Sequence, residues 1–442
     1  MSDLLSIGAS GVRAYQSALT TTSDNIANAA TPGYVRRTTS LAEVGGATTS
    51  RAGGQGVVVD GVTRSADAFR SAQVRQSGAD LARSDAGIVW LDRIETSLNG
   101  QLLDERITAF FNSATALSAD PSAAVPRAAM LEAAGSVAQA FNGTLRALDA
   151  AAADLDTTAR DAAAKLDNVA GGLAKINDAL GRATPGTTGQ AQLFDQRDRL
   201  LEEMSALTDA DVAFDPAGRV SVRGGGPSGP LLVHAGQAAS VSYSRNEEGE
   251  TIFAVRRAGV DSVLKSTAGA MAGMADGATR IADMRAATGT LAANFAGDVN
   301  AVLTNGQDLA GDPGTEMFAV ADDGTLSVAL DDSAKIAAAT TGTGPRDNGN
   351  LGALAKMRTT ARFEAQTIAL QAGNGTALSA RKTIAEAQGA IRNSALAARD
   401  AASGVNLDEE AIDLMRFQQA YQASSRVIQI ARETIDTLIA IR

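Results

Sequence analysis

The first part of the chain carries apolar side chains at a strict seven-residue spacing. The repeated positions are Leu5, Val12, Leu19 and Ile26, and Tyr15 follows one of them at i+3. This spacing places the side chains on one stripe of a helix that can pair in a coiled coil. Because Gly, Ser and Thr are frequent in the segment, the helix is expected to be weak on its own.

The end of the chain carries a second and wider apolar stripe. Its heptad positions include Leu414, Phe417, Tyr421, Ile428, Ile435 and Leu438. Other apolar residues, such as Ile412, Met415 and Ile430, widen the stripe to more than one face, so a single partner helix would not cover it. An ordinary terminal core helix is the alternative interpretation. Two matching helices at opposite ends of the chain favour a paired element that assembles with neighbours.

Both terminal helices carry boundary signals. Asn28 is expected to end the first helix, and Pro32-Gly33 has the form of the centre of a type II turn. Asn406 is expected to cap the last helix, which opens with Leu407, and acidic residues follow at the positive end of the helix dipole.

These acidic residues include Asp408 and Glu409. Glu409 occupies the N3 position, where a capping box places a glutamate that reaches back to the cap residue. The last helix is therefore predicted to be better defined at its start than the first helix is along its length.

The middle of the chain is predicted to be mainly helical with one β insertion. Helical patterns cover about Asp67–Asn99, Leu103–Leu117, Arg127–Leu180, Leu193–Leu207, Gly269–Leu303 and Leu351–Ala402. A β run is predicted at Val57–Val62, among several glycines, and short strands occupy Val212–Leu264 with turns at Asp215–Gly218 and Asn246–Gly249.

The predicted fold class is mainly α with a small inserted β domain. We expect an elongated multi-domain subunit with paired N- and C-terminal coiled-coil helices and a long helical-bundle middle domain. The terminal assembly domain would contain residues 1–35 and 404–442, the middle domain residues 36–208 and 266–403, and the small outer β domain residues 209–265.

Composition narrows the function classes. The 442 residues are 45% hydrophobic but only 4% aromatic, which suits long, closely packed helices. The formal net charge of −11 argues against nucleic acid or an anionic membrane as the main partner. The chain has no cysteine, which excludes disulfides and cysteine-ligated metals, and a single histidine, His234.

Catalytic and ligand-binding interpretations find little support. His234 lies in a strand-like region without a nearby serine nucleophile motif. The loop Gly224–Gly229 lacks the lysine and following helix of a phosphate-binding loop, and Asp308 and Asp312 lack the alternating ligands of a calcium loop. No cofactor or metal site is predicted.

A carboxylate cluster in the helix near Leu193–Leu207 has two interpretations. Asp195, Asp198, Glu202 and Glu203 could act as acids or bases, but Arg197 and Arg199 alternate with them. We therefore expect solvated ion pairs such as Asp195–Arg199 at i,i+4.

The motifs at the two ends resemble those of bacterial flagellar axial proteins. The stretch Ala18–Tyr34, which contains Asn25, Asn28, Pro32, Gly33 and Tyr34, resembles the signature of rod, hook and hook-associated proteins. Ser403–Glu410, with Asn406, Leu407, Asp408 and Glu409, and the following Arg416–Ala423 look like the hook-associated FlgK family. Two internal segments, Leu193–Leu201 and Phe295–Gly314, are similar to segments of that family.

The resemblance implies a structural subunit at the junction between hook and filament, and no enzyme. It implies assembly with other copies in a ring or tube, with hook protein on one side and a second hook-associated protein on the filament side. It also implies delivery by an export chaperone, without a cleaved signal peptide, to an extracellular position on the flagellum. A hook or distal rod subunit is the alternative, and a secreted adhesin or enzyme on an axial scaffold is a more distant one.

The resemblance departs from the family in length. Members often carry a further β-rich insert between segments like Asp308–Phe318 and Asp332–Ala338, where this chain has only a few residues. We therefore expect its outermost domain to be reduced or missing.

Overall fold

The computed structural model describes residues 2–44, 56–246, 250–321 and 324–440. The predicted glycine-rich segment at residues 45–54 and most of the predicted turn at Asn246–Gly249 lie outside these ranges. The helices are α1 (Ser2–Asn28), α2 (Ala68–Asn99), α3 (Leu103–Ala119), α4 (Ala124–Arg182), α5 (Thr188–Leu207), α6 (Gly269–Leu303), α7 (Gly349–Ala361), α8 (Phe363–Ser403) and α9 (Leu407–Ala440).

The strands form small antiparallel sheets. The strands are β1 (Arg37–Glu43), β2 (Val57–Arg64), β3 (Ala210–Phe214), β4 (Val220–Gly224), β5 (Leu231–His234), β6 (Gln237–Ala238), β7 (Ser240–Arg245), β8 (Thr251–Arg257), β9 (Val260–Leu264), β10 (Gly306–Gln307), β11 (Phe318–Val320), β12 (Leu326–Val328) and β13 (Ala339–Thr340). β1 pairs with β2, β3 to β6 form one sheet in chain order, and β7 to β9 form another.

The two ends of the chain come together as a terminal pair, α1 and α9. The β1–β2 hairpin also packs on α1, so α1 contacts the hairpin as well as α9. The hairpin also approaches the rest of the molecule, where β2 contacts α5 and the backbone N–H of Val62 donates to the carbonyl of Gly186 at 2.7 Å. The hairpin therefore lies between the terminal pair and the bundle, with contacts to α1 on one side and to α5 on the other.

The remaining helices form a long bundle with two hydrophobic cores. One core contains Trp90, Leu155 and Leu173 and lies in the half of the bundle that adjoins α5. The other contains Phe110 and Phe295 and lies where α3, α6 and α7 meet. α4 contributes buried residues to both cores, because its 59 residues span about 88 Å at a rise of about 1.5 Å per residue.

The inserted β segment closes onto the first of these cores. Val222, Val233, Phe253 and Val255 are buried in the same cluster as the leucines of α4. The short strands predicted over Val212–Leu264 are present as β3 to β9. The predicted turn at Asp215–Gly218 is confirmed, since the N–H of Gly218 donates to the Asp215 carbonyl at 2.9 Å.

The helical region predicted from Leu351 to Ala402 contains one break. Arg362 adopts φ 54° and ψ 44°, the left-handed conformation, and separates α7 from α8. A non-glycine residue in this conformation carries a strain that neighbouring packing must offset. The fully buried ring of Phe363 follows directly and contacts the ring of Phe295. Within the described ranges no helix is both long and apolar enough to cross a membrane.

Candidate assembly site

The α1 and α9 helices approach closely because glycines line their contact. A side-chain carbon added at Gly8 would lie 2.7 Å from Ile428 Cγ1, and one added at Gly11 would lie 2.6 Å from Ser424 Oγ. Both distances are under 3.0 Å, so any larger residue at these positions would force α9 or its side chains to shift. One turn further along α1, the rings of Tyr15 and Phe417 lie with centroids 6.5 Å apart.

Small and polar residues form the buried line of α1. That line consists of Gly8, Gly11, Ala14, Ala18, Thr21, Thr22 and Asn25. The predicted apolar residues flank it: Leu5, Val12, Tyr15 and Leu19 are half-buried, and Ile26 is exposed. These side chains are thus only partly covered by α9 and the hairpin.

The predicted line of α9 is also only half-buried. Its described members are Leu414, Phe417, Tyr421, Ile428 and Ile435, whereas the side chain of Leu438 lies outside the described part. The outer face of α9 is exposed to solvent, with Ile412 61%, Met415 56% and Ile430 62% accessible. A helix that exposes this much apolar side chain lacks a partner on that side.

The turn that follows α1 has the predicted conformation. α1 ends at Asn28, whose side chain donates to the Asp24 carbonyl at 2.9 Å. The N–H of Tyr34 donates to the carbonyl of Thr31 at 3.1 Å, and Gly33 has φ 75°. A positive φ at the residue after Pro32 defines a type II turn, which glycine adopts without strain.

The side chain of Asn25 connects α1 to the turn that follows it, to β1 and to α9. Its Oδ1 accepts hydrogen bonds from the Arg37 backbone N–H at 3.0 Å and from the Tyr34 hydroxyl at 2.9 Å. Its Nδ2 donates to the Arg37 carbonyl at 2.8 Å and to Glu410 Oε2 at 3.0 Å. Asn25 is 1% exposed, so these bonds satisfy an otherwise costly buried amide. Burial raises the pKa of the Tyr34 hydroxyl to about 12.

Arg36 joins the hairpin to α9. Its Nε donates to Glu410 Oε1 at 2.7 Å, and its guanidinium also approaches Glu409 at 3.4 Å and Asp413 at 3.5 Å. The hydrogen bond to Glu410 is the main cause that raises the pKa of Arg36. The backbone N–H of Arg36 donates to the carbonyl of Ser403, the last residue of α8, at 2.9 Å. One residue therefore ties together the hairpin, α8 and α9.

The start of α9 confirms Asn406 as the cap. Its Oδ1 accepts a hydrogen bond from the N–H of Asp408 at 3.0 Å. Leu407 and Asp408 are exposed in the first turn. Glu409 has a different role from the predicted capping box, because its carboxylate lies beside Arg36. The acidic first turn thus serves the contact with the hairpin as well as the helix dipole.

The prediction of solvated ion pairs on α5 is wrong for Asp195. Its carboxylate is 4% exposed and lies 2.6 Å from Arg37 Nη2 and 2.7 Å from Arg64 Nη2, not beside Arg199. Arg64 also lies 3.0 Å from Asp198. The prediction failed because both arginines come from the distant hairpin. Removing one partner of such a buried cluster typically costs about 3–5 kcal/mol.

Arg197 connects the same turn of α5 to the β segment. Its guanidinium carbon lies 4.9 Å from the ring centre of Phe194 and 4.7 Å from that of Phe214. It donates to the carbonyl of Gly218 at 2.5 Å and to Asp198 at 2.6 Å. Burial lowers the pKa of Arg197.

The residues considered for chemistry take structural positions. His234 is exposed, and its Nδ1 lies 2.9 Å from the Ser221 hydroxyl. Gly224 ends β4, and the loop through Gly229 leads to β5, so this segment is a connection between two neighbouring strands. Asp308 accepts hydrogen bonds from the N–H groups of Ala310 and Asp312, both at 2.9 Å. In the part of the chain that the structure covers, no group of three or more acidic or histidine residues could hold a metal.

Sequence reasoning missed the charged residues that connect the terminal pair to the bundle. These residues are Arg36, Arg37, Arg64 and Glu410, together with the buried role of Asp195. The adjacent arginines after the turn were a visible signal, but cross-strand pairing and the approach of α5 depend on the tertiary fold.

Three family models match the chain. The model described as the flagellar hook-associated protein FlgK helical domain matches residues 91–318. The model of the flagellar basal body rod FlgEFG protein C-terminal region matches residues 399–441, which include α9. The flagella basal body rod protein model matches residues 5–34, which include most of α1. The last two models thus cover the terminal pair.

Curated relatives match over the whole chain. Flagellar hook-associated protein 1 of Salmonella typhimurium is 25% identical over 560 residues, with 100% of both chains covered. The proteins of the same name from Escherichia coli and Bacillus subtilis are both 26% identical, over 552 and 484 residues, and cover 100% and 96% of this chain. The corresponding shares of those two proteins are 100% and 95%. The alignments are longer than the 442 residues of this chain, so it lacks residues at many aligned positions.

A solved structure shares the fold. It is described as the flagellar hook junction protein FlgK from Burkholderia pseudomallei, and it matches with a TM-score of 0.52 at 19% identity. The match covers 56% of this chain and 46% of that one, less than half of its length. Because the FlgK helical-domain model alone spans more than half of the 442 residues, the chain belongs to the flagellar hook-associated protein FlgK family, a family of structural flagellar proteins and not of enzymes.

Proposed function

We propose that this chain forms the junction between hook and filament and assembles there through the terminal pair of α1 and α9. The observation that carries the proposal is the outer face of α9. Ile412, Met415 and Ile430 are more than half exposed in the single subunit. Covering such side chains by neighbours in a tube would supply a driving force of about 25 cal/mol per Å² of apolar surface. The free energy gained by this burial must exceed the conformational-entropy cost of ordering the helices.

The partners follow from a junction position. Copies of this chain would contact one another in a ring or tube, with hook protein on one side and a second hook-associated protein on the filament side. Before assembly, an export chaperone would cover the same apolar helices. The subunit would be exported to the outside of the cell, and the absence of cysteine from the sequence would ease the passage of an unfolded chain.

The same interpretation divides the subunit by role. Residues 1–35 and 404–442 would form the assembly domain, residues 36–208 and 266–403 the supporting bundle, and residues 209–265 a small outer β domain. The contacts of the β1–β2 hairpin with α1 support adding the hairpin to the assembly domain. Leu5, Val12, Leu19 and Ile26 would then face neighbouring subunits, since the fold of a single subunit leaves the first three half-buried and Ile26 37% exposed.

A gene deletion tests the proposed position. The deletion strain should make hooks without filaments and shed flagellin into the medium, and a plasmid copy of the gene should restore filaments. Electron microscopy of the isolated structures provides the readout. Normal filaments on the deletion strain would contradict the junction role, and a strain without hooks would favour a rod or hook subunit instead.

A further inference from the structure

The open end of the β1–β2 hairpin places two like charges side by side. Arg37 and Arg64 are direct partners across the two strands, and their side chains are only 5% and 8% exposed. Like charges directly opposite each other destabilise a strand pair, and burial strengthens their repulsion. The hairpin therefore needs a carboxylate between its two arginines.

That carboxylate comes from α5, which belongs to the helical bundle. Asp195 of α5 lies within 2.7 Å of both guanidinium groups, and Asp198 lies 3.0 Å from Arg64. Since the hairpin packs on α1, the position of Asp195 fixes the terminal pair relative to the bundle. Asn25 continues this connection, because its amide binds the backbone of Arg37 on one side and Glu410 of α9 on the other.

We propose that Asp195 is a positioning residue that sets the direction in which the bundle projects from the terminal pair. The inference rests on the proposed function for its consequence: in a tube built from terminal pairs, this direction determines where every bundle lies. Asp195 is 4% exposed in the single subunit, so its role is internal to the subunit. It acts by neutralising Arg37 and Arg64, so that the hairpin stays closed and seated on α5.

The test measures distances across the connection in the purified full chain. The sequence contains no cysteine, so Ala390→Cys on α8 and Ala27→Cys at the end of α1, close to the buried Asn25, introduce two unique sites for spin labels. Both alanines are exposed. Pulsed electron paramagnetic resonance should give one narrow distance distribution for the parent and a distribution at least twice as wide for Asp195→Asn. The matched control, Asp149→Asn, removes an exposed ion pair with Arg285 and should leave the width unchanged.

A second variant separates positioning from general loss of structure. Adding Arg37→Gln to Asp195→Asn removes one of the two facing charges. The double variant should therefore reverse at least half of the increase in width of the distance distribution. An unchanged width in Asp195→Asn would overturn the inference, as would a double variant as broad as the single one. If Asp195→Asn is too unstable to purify, the double variant and Asp195→Glu are compared with the parent instead. A broad distribution in Asp195→Glu that lacks the parent distance would also overturn the inference.

These measurements use the free subunit, so they do not depend on the junction role. Filament formation by the Asp195→Asn strain is measured separately and should fall at least tenfold relative to the Asp149→Asn strain. Broadened distances together with normal filaments would contradict the proposed consequence for the tube, whereas filament loss in the gene deletion strain tests the junction role itself.

Discussion

Arg36 and Arg37 are neighbours in the chain, yet one guanidinium group pairs with a carboxylate of the terminal pair and the other with a carboxylate of the bundle. Arg36 binds Glu410 of α9 at 2.7 Å, and Arg37 binds Asp195 of α5 at 2.6 Å. Successive side chains in an extended segment point to opposite sides, which allows this division. The start of the hairpin is therefore the point where the assembly helices and the bundle are held together.

The exposed face of α9 can be altered without affecting the free subunit. We expect Ile430→Asp to leave the thermal unfolding of the purified subunit unchanged, because the side chain is 62% exposed, and to abolish filament formation. Circular dichroism and electron microscopy provide the two measurements. Val125→Asp, at a position 82% exposed on α4, is the control and should retain filaments. Filaments on the Ile430→Asp strain would show that this face of α9 is not an interface.

Close helix contact predicts opposite effects of the same substitution at two sites. Gly8→Ala should open the α1–α9 contact, because the new carbon would lie 2.7 Å from Ile428, and overpacking typically costs about 1–3 kcal/mol. Gly135→Ala, on α4 with no atom within 4 Å of the new carbon, should stabilise the subunit by about 0.5–1 kcal/mol. Hydrogen exchange of α9 and chemical denaturation measure the two effects. Unchanged exchange of α9 in Gly8→Ala would contradict the close contact.

Tyr34, half-buried in the turn before the hairpin, predicts a loss of stability at alkaline pH. The pKa of Tyr34 is raised from 10.0 to about 12, mainly by burial, so the fold favours the neutral phenol. The stabilisation is complete below about pH 10 and is lost as the pH rises through about 12. Burial also raises the pKa of Tyr243 to about 12.

Ultraviolet absorbance of the phenolate checks this directly. The chain has four tyrosines, and Tyr34→Phe should remove one group that titrates near pH 12 while the late titration of Tyr243 persists. Tyr243→Phe is the reciprocal control. If Tyr34→Phe leaves the alkaline end of the titration curve unaltered, the hydroxyl is not buried as described.

The contact of Arg197 with two aromatic rings predicts that a positive charge alone does not preserve stability at this position. Arg197→Lys keeps a cation but loses the planar contact with Phe194 and Phe214 and the paired hydrogen bonds to Asp198. We expect it to lower the unfolding free energy by about 2 kcal/mol, measured by chemical denaturation. Arg256→Ala, which removes an exposed ion pair with Asp261, should have no measurable effect. Equal stability of Arg197→Lys and the parent would refute the stacking argument.

Burial along the terminal pair predicts graded proteolysis of the free subunit. From the sequence we expect both ends to be cut before the middle, because they lack neighbours. Asn25 and Glu410 are nearly fully buried, whereas most of α9 beyond Glu410 is half-buried or exposed. Limited proteolysis with mass spectrometry should therefore show the earliest cuts far from Glu410, with cuts near Asn25 later. Uniform protection of both ends would contradict assembly-coupled ordering.

Local patterns in the sequence predict the elements well. The helix predicted at Gly269–Leu303 is α6, residue for residue, because its apolar spacing and its flanking glycine and loop signals agree. The type II turn at Pro32-Gly33 and the cap at Asn406 are also confirmed, since each depends on only a few adjacent residues. These features need no knowledge of distant parts of the chain.

The connections between elements could not be predicted in the same way. The pairing of Arg37 with Arg64 depends on strand register, and the burial of Asp195 depends on where α5 lies relative to the hairpin. The seven-residue spacing identified α1 as a pairing helix but not the line that faces α9. That line is made of Gly8, Gly11 and other small residues, which a search for large apolar side chains ranks low.

The β segment between α5 and α6 forms a wall of the bundle, because Val222, Val233 and Phe253 complete the same core as α4 and α6. Deleting this segment would expose that core to water, so evolution could not discard it as a unit without rebuilding the helices beside it. The alignment with the Salmonella typhimurium relative spans 560 residues, more than the 442 of this chain, yet this shorter chain retains the segment. Residues 209–265 therefore form part of the boundary of the bundle's interior, which cannot be removed by itself.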